Sequence, residues 1–243
     1  MRFTDELEFG HNDRRDVFEY IEHHGVVDYD EAREALNMDP TAFGHHVTIL
    51  KRDGLIERLD GSLRVNLDGG EEEEFSEDGV EYVIRQARET DLTGLVGAIR
   101  SVSEERTYIE AESIAEIVDH EHVLLWHDSI ESRIFFVATV NDDVVGWVHL
   151  NAPEIEKLSH TAELTVGVLD EYRGHGIGSH LLERGLEWAK EHGYEKVYNS
   201  VPSTNEAAIE FLDSRGWETE AVRAKHYRIE GEYVDEVMMA VWP

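Results

Sequence analysis

The stretch that decides the fold runs from Ala162 to Gly193 and reads AELTVGVLDEYRGHGIGSHLLERGLEWAKEHG. Its first part alternates in the manner of a β-strand, and its second part carries apolar residues at helical spacing. The helix ends at Gly193, a residue type suited to a left-handed cap. The apolar positions are Leu164, Val166 and Val168 in the strand and Ile177, Leu181, Leu182, Leu186 and Ala189 in the helix.

A glycine-rich loop, Arg173 to Gly178, joins this strand to the helix. The first amides of a helix have no intrahelical partners, and the helix dipole favours negative charge beside them. Glycines at positions 174, 176 and 178 carry no Cβ, so a phosphate can approach the backbone closely. The stretch predicts an anion site; the alternative is a glycine-rich connection that binds no ligand.

The spacing of the loop narrows the choice of ligand. It is not the dinucleotide pattern G-x-G-x-x-G, whose last position is Ser179 here, and no Gly-Lys-Ser/Thr of a P-loop follows. It resembles the R/Q-x-x-G-x-G/A signature of the GNAT acyltransferases, with Arg173, Gly176 and Gly178 in the defined places. The resemblance implies that the loop binds the pyrophosphate of the cosubstrate acetyl-CoA, while the strand hydrogen-bonds the pantetheine arm. The implied cofactor-binding residues are Val166, Gly167, Val168, Arg173, Gly174, His175, Gly176, Ile177, Gly178 and Ser179.

A second landmark of the same family follows in the expected order. The segment from Asn205 to Trp217 resembles N-x-x-A-x-x-F-Y-x-x-x-G-F/W, matching at Asn205, Ala208, Phe211, Gly216 and Trp217. The resemblance adds Asn205 to the implied cofactor contacts. It extends over 80–243 and implies an α/β GNAT fold, a mixed central sheet flanked by helices.

The amino-acid composition limits the class of protein and the environment to which the chain is suited. There are 22 Lys+Arg against 54 Asp+Glu, for a net charge of −32, yet 41% of the residues are hydrophobic. That combination favours folded domains and an acidic surface suited to a very salty cytoplasm, where charge is screened. The alternative is an acidic protein that avoids nucleic acid by repulsion. The chain is expected to be cytoplasmic, because it shows no signal peptide and no apolar run of roughly 20 residues.

The first 68 residues read as a separate small domain. Helices are predicted over Arg14–His23, from a D-x-x-E start at Asp28, and from Pro40. Strands are predicted over 55–58 and 63–67, as a hairpin. This α+β pattern resembles the winged helix-turn-helix of archaeal and bacterial regulators, and an acidic, solvated linker is predicted over 69–79 before the domain at 80–243.

The winged-helix resemblance implies that the third helix reads DNA and the hairpin touches its backbone. The implied DNA contacts are Thr41, His45, Thr48 and Arg52 on the helix and Arg58 and Arg64 on the hairpin. Residues 1–67 hold eight Lys/Arg and 15 Asp/Glu, so the usual basic footprint of a nucleic-acid binder is absent. The alternative is a docking or dimerisation module.

Acetyl transfer to an amine needs a base that neutralises the acceptor. The family's usual general-acid tyrosine would fall at position 212, which is leucine. Glu163, where another branch of the family places its base, is the predicted catalytic residue, with His160, His149 and Tyr198 as lesser candidates. There is no cysteine, so a thiolate zinc site and a cysteine acyl-enzyme are excluded, and no metal is predicted.

Two functions follow from these residues. The first is an acetyl-CoA-dependent N-acetyltransferase acting on an amine of a small molecule or protein, with DNA and a second copy of the chain as further partners. The second is a transcriptional regulator whose GNAT-like domain senses acyl-CoA without catalysis. The family builds acceptor specificity in the connection that holds Glu104, Glu105, Arg106 and Tyr108, which matches no substrate class.

Overall fold

The computed structural model of the chain describes residues 9–59, 61–66, 69–103, 109–121, 124–128 and 130–243. They divide into two compact units. The first unit comprises 1–68, 125–134 and 152–159, and the second comprises 69–124, 135–151 and 160–243. The sequence predicts a first domain that ends at residue 68, whereas in the structure two later segments also belong to the first unit.

Three helices of the first unit begin at polar side-chain caps. They are α1 (Asn12–His24), α2 (Tyr29–Ala35) and α3 (Pro40–Arg52). Asp28 Oδ1 accepts from the backbone N–H of Asp30 at 2.8 Å, and Asp39 Oδ1 accepts from that of Thr41 at 2.9 Å. Each carboxylate satisfies an orphan donor and complements the helix dipole, so α2 and α3 begin where the sequence pattern predicts.

A small antiparallel sheet completes the first unit. Its strands are β1 (Val26–Asp28), β2 (Ile56–Leu59) and β3 (Ser62–Val65), in the order β1-β3-β2. The sequence predicts the hairpin of β2 and β3 but not β1, because three residues are too few to show an alternation. One apolar core lies beneath these elements, formed by Phe9, Val17, Phe18, Ile21, Val27, Ala32, Phe43, Val47, Leu50, Ile56, Leu63 and Val65.

A long mixed sheet lies largely in the second unit, although its residues 126–127, 131–134 and 152–153 belong to the first. The remaining strands are β4 (Glu73–Glu77), β5 (Val80–Gln86), β6 (Trp126–His127), β7 (Glu131–Val140), β8 (Asp143–Pro153), β9 (Thr161–Val168), β10 (Lys196–Pro202), β11 (Glu218–Ile229) and β12 (Glu232–Val241). Their order is β11-β12-β10-β9-β8-β7-β5-β4, and β6 pairs with β7. β9 and β10 pair in parallel, whereas β8 and β12 pair with them antiparallel.

Four helices accompany this sheet: α4 (Leu92–Ser103), α5 (Ile109–Glu121), α6 (Ile177–Glu191) and α7 (Glu206–Asp213). The buried faces of α4 and α5 share one apolar cluster with Phe135, Val137 and Trp147 of the sheet. Within the part of the chain that the structure describes, no helix combines the length and the hydropathy needed to cross a bilayer.

The predicted linker over 69–79 differs from what the structure shows. Residues Glu73–Glu77 form β4 and pair antiparallel with β5, from Glu73 opposite Ile84 to Glu77 opposite Val80. Phe75 stacks on the ring of His180, with centroids 4.1 Å apart, and this contact ties the strand to α6. The glutamates conceal the strand in the sequence, because Phe75 is the only apolar residue of β4.

A buried ion pair holds the end of β5 to the start of α4. The guanidinium of Arg85 donates to both carboxylate oxygens of Asp91, at 2.6 and 3.0 Å, and the backbone N–H of Arg88 donates to the same carboxylate at 2.7 Å. Burial alone raises the pKa of Asp91. The hydrogen bonds and charges of Arg85 and Arg88 outweigh burial and hold that pKa below its usual value.

We expect Asp91→Asn to lower the free energy of unfolding by about 3–5 kcal/mol, because Arg85 is then left buried without its counter-charge. A lowered folded-state pKa means that the contribution of Asp91 is present above its unfolded pKa of about 3.9 and is lost as pH falls through the folded value. Urea unfolding from pH 3 to 7 at constant salt measures both effects. Asp119→Asn, which breaks an exposed pair with Arg100, is the control and should cost at most about 1 kcal/mol. Equal losses in the two variants would contradict this account.

Candidate active site

Two parallel strands separate in the middle of the second unit. β9 and β10 pair over only three positions, from Thr161 opposite Lys196 to Glu163 opposite Tyr198. Immediately beyond, the side chain of Asn199 bridges the gap, because its Nδ2 donates to the carbonyl of Leu164 at 2.6 Å. Past this bridge the strands diverge, and their exposed edges can bond to an extended ligand instead of to each other.

The glycine loop after β9 leads into a helix end without a side-chain cap. Gly174 and Gly176 have φ values of 85° and 76°, and Gly176 is the N-cap of α6. The positive φ of Gly176 favours glycine there, and a Cβ would lie 2.0 Å from Oε2 of Glu77, whose flexible side chain would have to move. Successive amides in such a loop form a concave anion site, strengthened by the helix dipole.

The amides at the start of α6 are not all equivalent. The N–H groups of Ser179 and His180 both donate to the carbonyl of Gly176, at 2.9 and 3.1 Å. The donors suited to an anion are therefore those of the loop and first helical residues, 174–178, rather than the amide of Ser179. The Ser179 hydroxyl is engaged as well, because it accepts a hydrogen bond from the guanidinium of Arg215.

A cavity of about 460 Å³ connects the diverging strands to this loop. Predicted cofactor contacts that line it are Val166, Gly167, Val168, Arg173, Gly174, Gly176, Gly178, Ser179 and Asn205. The other two predicted contacts, His175 and Ile177, are not among its lining residues. Ile177 is 1% exposed and belongs to the core, so only its backbone can serve the loop.

Arg173 contributes to the shape of the loop. Its Nε donates to the carbonyl of Val168 at 3.0 Å, and its Nη1 pairs with Asp170 at 3.1 Å. The side chain thus fastens the end of β9 to the loop while also lining the cavity. This geometry assigns Arg173 a positioning role in addition to its charge.

The α7 segment forms the opposite wall of the cavity. Asn205 caps this helix, its Oδ1 accepting from the N–H of Ala208 at 3.2 Å, and it is 7% exposed. Leu212, at the position of the family's usual tyrosine, is buried and lines the cavity with an apolar side chain. No hydroxyl is available at that place.

Sequence reasoning missed Arg215, which also lines the cavity. Its guanidinium lies over the ring of Phe211, 3.9 Å from the centroid, and donates to the Phe211 carbonyl at 3.2 Å. With the bond to Ser179 noted above, these contacts hold a cation beside the glycine loop. The signal in the sequence is a cation four residues after an aromatic residue, which is common on helices without any ligand.

Glu163 lies where the two strands begin to separate. It is half-buried, opposite Asn151 on β8 and Tyr198 on β10, and it is not among the residues that line the cavity. Alternation along β9 places Glu163 on the same face of the sheet as Thr165, which does line the cavity. The side chain of Glu163 therefore lies on the same face of β9 as a residue that lines the cavity.

The lesser catalytic candidates differ in their surroundings. His149 is buried with its ring 4.5 Å from that of Phe135, and it pairs in register with Thr165. His160 is exposed, and its carbonyl accepts from two backbone N–H groups at the start of β10. The predicted acceptor connection with Glu104, Glu105, Arg106 and Tyr108 lies outside the described residues.

The predicted DNA contacts of the first unit fall into two groups. Thr41, His45, Thr48 and Arg52 are exposed on α3, as the sequence predicts for the face opposite Phe43, Val47 and Leu50. The hairpin arginines are engaged within the protein. Arg64 pairs with Glu57 at 2.6 Å with 13% of its side chain exposed, and the guanidinium of Arg58 lies 4.2 Å from the centroid of the Tyr29 ring. The sequence does not predict these intramolecular partners.

Comparison with known proteins gives one family. The model of the Acetyltransferase (GNAT) family matches residues 98–217. An N-alpha-acetyltransferase of Sulfurisphaera tokodaii is 30% identical over 182 residues, covering 69% of this chain and 98% of that protein. An L-amino acid N-acetyltransferase of Escherichia coli is 26% identical over 168 residues, covering 66% of this chain and 97% of that protein.

Solved structures share the fold of the second unit. A GNAT-family acetyltransferase from Streptococcus pneumoniae aligns with a TM-score of 0.56 at 24% identity, covering 67% of this chain and 100% of that one. A putative acetyltransferase from Salmonella typhimurium, solved with its cofactor acetyl-CoA, aligns with a TM-score of 0.54 at 19% identity, covering 66% and 93%. The sheet, the helices and the site geometry agree with the sequence relationships, and the chain therefore belongs to the GNAT family and is an acetyl-CoA-dependent N-acetyltransferase.

Proposed function

We propose that acetyl-CoA lies in the cavity between β9 and β10, with its pyrophosphate on the loop 174–178. The observation that carries this proposal is the continuity of the cavity from the diverging strand edges to the uncapped start of α6. When bound, the cosubstrate supplies a thioester as the acetyl donor. Backbone groups of Val166 and Val168 are then placed to hold an extended arm, and the loop amides to hold the anion.

Charged side chains complete the proposed cofactor site. Arg173 and Arg215 are the only ionisable residues in the described lining of the cavity, and both are cations. Arg215 is fixed by Phe211 and Ser179, so little side-chain entropy is lost when it meets a phosphate. Asn205 adds a buried amide at the start of α7. No metal is needed for any of these roles.

The acceptor that we propose is an α-amino group, of a free amino acid or at a protein N-terminus. The two relatives described above are named for N-alpha and L-amino acid acetylation. The α-amine at a peptide N-terminus has a pKa near 8, about two units below that of a lysine side chain, so its deprotonation at neutral pH asks less of a base. An acceptor that is easily deprotonated suits a site in which Glu163 is the single candidate base and Leu212 replaces the family's general-acid tyrosine.

Thiol release from acetyl-CoA, measured at high salt, tests the acceptor. The panel contains free amino acids, peptides with a free N-terminus and no lysine, and N-terminally blocked peptides with one lysine. We expect the first or second class to react and the blocked lysine peptides to remain unmodified. Reaction confined to the blocked lysine peptides would reject an α-amine acceptor.

Acyl-CoA sensing without catalysis, the alternative that the sequence leaves open, does not fit a chain that belongs to a family of N-acetyltransferases. The buried Leu212 removes the usual tyrosine acid but leaves Glu163 as the candidate base.

For the first unit we propose a winged helix-turn-helix that binds DNA through the exposed face of α3. Its support is the four exposed polar residues of that face, on a segment that contains no carboxylate between Pro40 and Arg52. Arg52 already pairs with Asp53 at 2.8 Å, and Arg64 is engaged by Glu57, so the available positive charge is small. A docking or dimerisation module remains the alternative.

If α3 binds DNA, affinity should fall less steeply with salt than for a basic winged helix, because salt also screens the surrounding carboxylates. Fluorescence anisotropy of labelled DNA across a salt series measures the slope. The titration requires the full chain, since segments 125–134 and 152–159 belong to the first unit. Arg52→Glu should weaken binding, whereas Lys190→Glu, on α6 of the second unit, should not. DNA binding that Arg52→Glu does not change would exclude α3 as the DNA-binding element and favour a docking or dimerisation module.

We further propose that the protein works in a salty cytoplasm and forms a homodimer. The net charge of −32 supports the first point, since such a surface repels itself unless salt screens it. The exposed strand β11, with Val222 57% exposed, supports the second. Light scattering and thermal unfolding from 0.1 to 3 M KCl test both: a monomer at all salts, or stability that falls with salt, would contradict them.

A further inference from the structure

Three metal-ligating side chains converge in the first unit, where neither acetyl transfer nor DNA binding uses them. His11 is the N-cap of α1, Asp13 lies in its first turn, and His46 lies on α3. One ligand atom from each lies within 4.8 Å of the other two. Nδ1 of His11 is 3.8 Å from Oδ2 of Asp13, and Nε2 of His46 is 4.0 Å from the same oxygen.

His46 is the buried member of this cluster. It is 7% exposed, and among the described residues its Nδ1 has no hydrogen-bond partner. The other ring nitrogen, Nε2, faces Asp13, so an ion bound at Nε2 would leave Nδ1 as the N–H of the ring. Its ring lies beside that of His11, with centroids 5.2 Å apart and planes at 34°, which brings two imidazoles to one carboxylate.

The other two ligands are held together before any ion arrives. Nδ1 of His11 accepts a hydrogen bond from the backbone N–H of Asp13 at 3.1 Å, which turns the ring toward the start of α1. The neighbouring cation, Arg14, is bound by the carbonyl of Phe9 at 2.6 Å. A metal ion would take over the His11 lone pair from the Asp13 amide, and both exposed ligands would need only small side-chain rotations.

We propose that His11, Asp13 and His46 bind one divalent transition-metal ion and thereby join the start of α1 to α3. Two imidazoles with one carboxylate suit zinc, nickel or cobalt, whereas calcium and magnesium prefer oxygen ligands alone. Two ligands of a tetrahedral zinc ion lie about 3.4 Å apart, given bonds of about 2.1 Å. The two separations from Asp13 Oδ2 exceed this by roughly half an ångström, and the two imidazole nitrogens lie within 4.8 Å of each other. Rotation of the exposed His11 and Asp13 side chains would have to close these gaps.

The site would act on the helix that carries the proposed DNA-binding face. His46 precedes Val47 on the buried side of α3, while His45 lies on the exposed side. An ion bound to His46 and to the start of α1 would fix α3 to a second element. Three protein ligands leave a coordination position for water or a small anion. The sequence does not predict this site, because His46 lies far along the chain from His11 and Asp13, and those two residues alone form no metal-binding motif.

The test is Co²⁺ and Zn²⁺ binding to the full-length, tag-free protein after chelator treatment. Co²⁺ is followed by its visible absorption, and Zn²⁺ by competition with a chromophoric chelator. We expect one saturable equivalent that Asp13→Asn and His11→Gln each remove. Changing a residue behind a metal ligand costs roughly 10- to 100-fold in affinity, so loss of a ligand should cost at least 100-fold.

His45→Gln is the matched control, because it changes an exposed histidine next to His46 that is outside the cluster. It should retain the bound equivalent and the thermal stabilisation that Zn²⁺ confers. Far-UV circular dichroism of each variant without metal establishes that the exposed substitutions leave the fold intact. Absence of a saturable equivalent in the unmodified chain, or an equivalent that survives both Asp13→Asn and His11→Gln, would overturn the proposal.

Discussion

Gly178→Asp is expected to weaken acetyl-CoA binding by at least roughly 100-fold while leaving the protein folded. A Cβ at Gly178 would make ordinary contacts, 3.5 Å from Val168 Cγ2 and 3.7 Å from Phe211 Cζ, so the position has room for the first atom of a side chain. It would stand in the cavity wall beside the expected pyrophosphate. Like charges about 4 Å apart repel by about 4 kcal/mol at an effective dielectric constant of 20, which accounts for the size of the loss. Isothermal titration calorimetry with acetyl-CoA measures it.

Two further substitutions separate charge from bulk at the same position. Gly178→Asn keeps the shape of aspartate without its charge and should lose far less affinity. Gly178→Ala should bind almost as well as the original and gain stability, since alanine favours a helix by about 1 kcal/mol over glycine. Aspartate in a first helical turn is itself stabilising, so a folded Gly178→Asp protein is expected. Equal acetyl-CoA affinity of the Asp and Asn variants would show that the pyrophosphate does not bind at this loop.

Position 176 is a poorer place for the same experiment, although the sequence motif draws attention to it first. The loop there is in a left-handed conformation, and any side chain would meet the carboxylate of Glu77. A loss of binding in a Gly176 variant would therefore report strain as well as charge. The role of Glu77 follows from β4, which the sequence does not reveal.

The strand, loop and helix from Ala162 to Gly193 could be predicted because each part carries its own local signal. Alternation, glycine spacing and helical periodicity all fall within one short segment, and the GNAT fold follows from two such landmarks. Helices α2 and α3 were equally accessible, because Asp28 and Asp39 act on amides two residues away. These features need no knowledge of distant contacts.

What could not be predicted depends on partners remote in sequence. Arg64 donates a hydrogen bond to Glu57 across a hairpin. Arg215 donates one to the hydroxyl of Ser179, which lies 36 residues earlier in the chain. The strand β4 pairs through its backbone, so its glutamates give no apolar alternation to detect. Periodicity reports which face of an element is buried, but it does not report which charged groups meet.

The anion site that we propose lies in a chain with a net charge of −32, and two local features favour an anion there nonetheless. Backbone amides at the start of α6 provide positive potential that no composition count registers. In the described lining of the cavity the two ionisable groups are Arg173 and Arg215, although the carboxylate of Glu77 lies beside Gly176. High salt screens the outer carboxylates more than it screens contacts within the cavity.

Glu163→Gln is expected to lower kcat by roughly 100- to 10,000-fold at neutral pH, the range in which a positioned base contributes to catalysis. The substitution keeps the size of the side chain and removes only its ability to accept the acceptor's proton. Affinity for acetyl-CoA should not change, because Glu163 does not line the cavity in the described part of the chain. Steady-state kinetics and calorimetry on the same preparation give both quantities.

The pH dependence distinguishes a base from a structural carboxylate. For a peptide N-terminus, whose α-amine has a pKa of about 8, the amine is mostly protonated below that pH, so the step depends on Glu163. Above that pH the neutral amine predominates, and the deficit of the Gln variant should shrink as pH rises. Glu195→Gln, at an exposed glutamate between α6 and β10, is the control and should leave the rate unchanged at every pH. A deficit in Glu163→Gln that is the same from pH 6 to 9.5 would exclude proton transfer and leave Glu163 as a residue that only positions its neighbours.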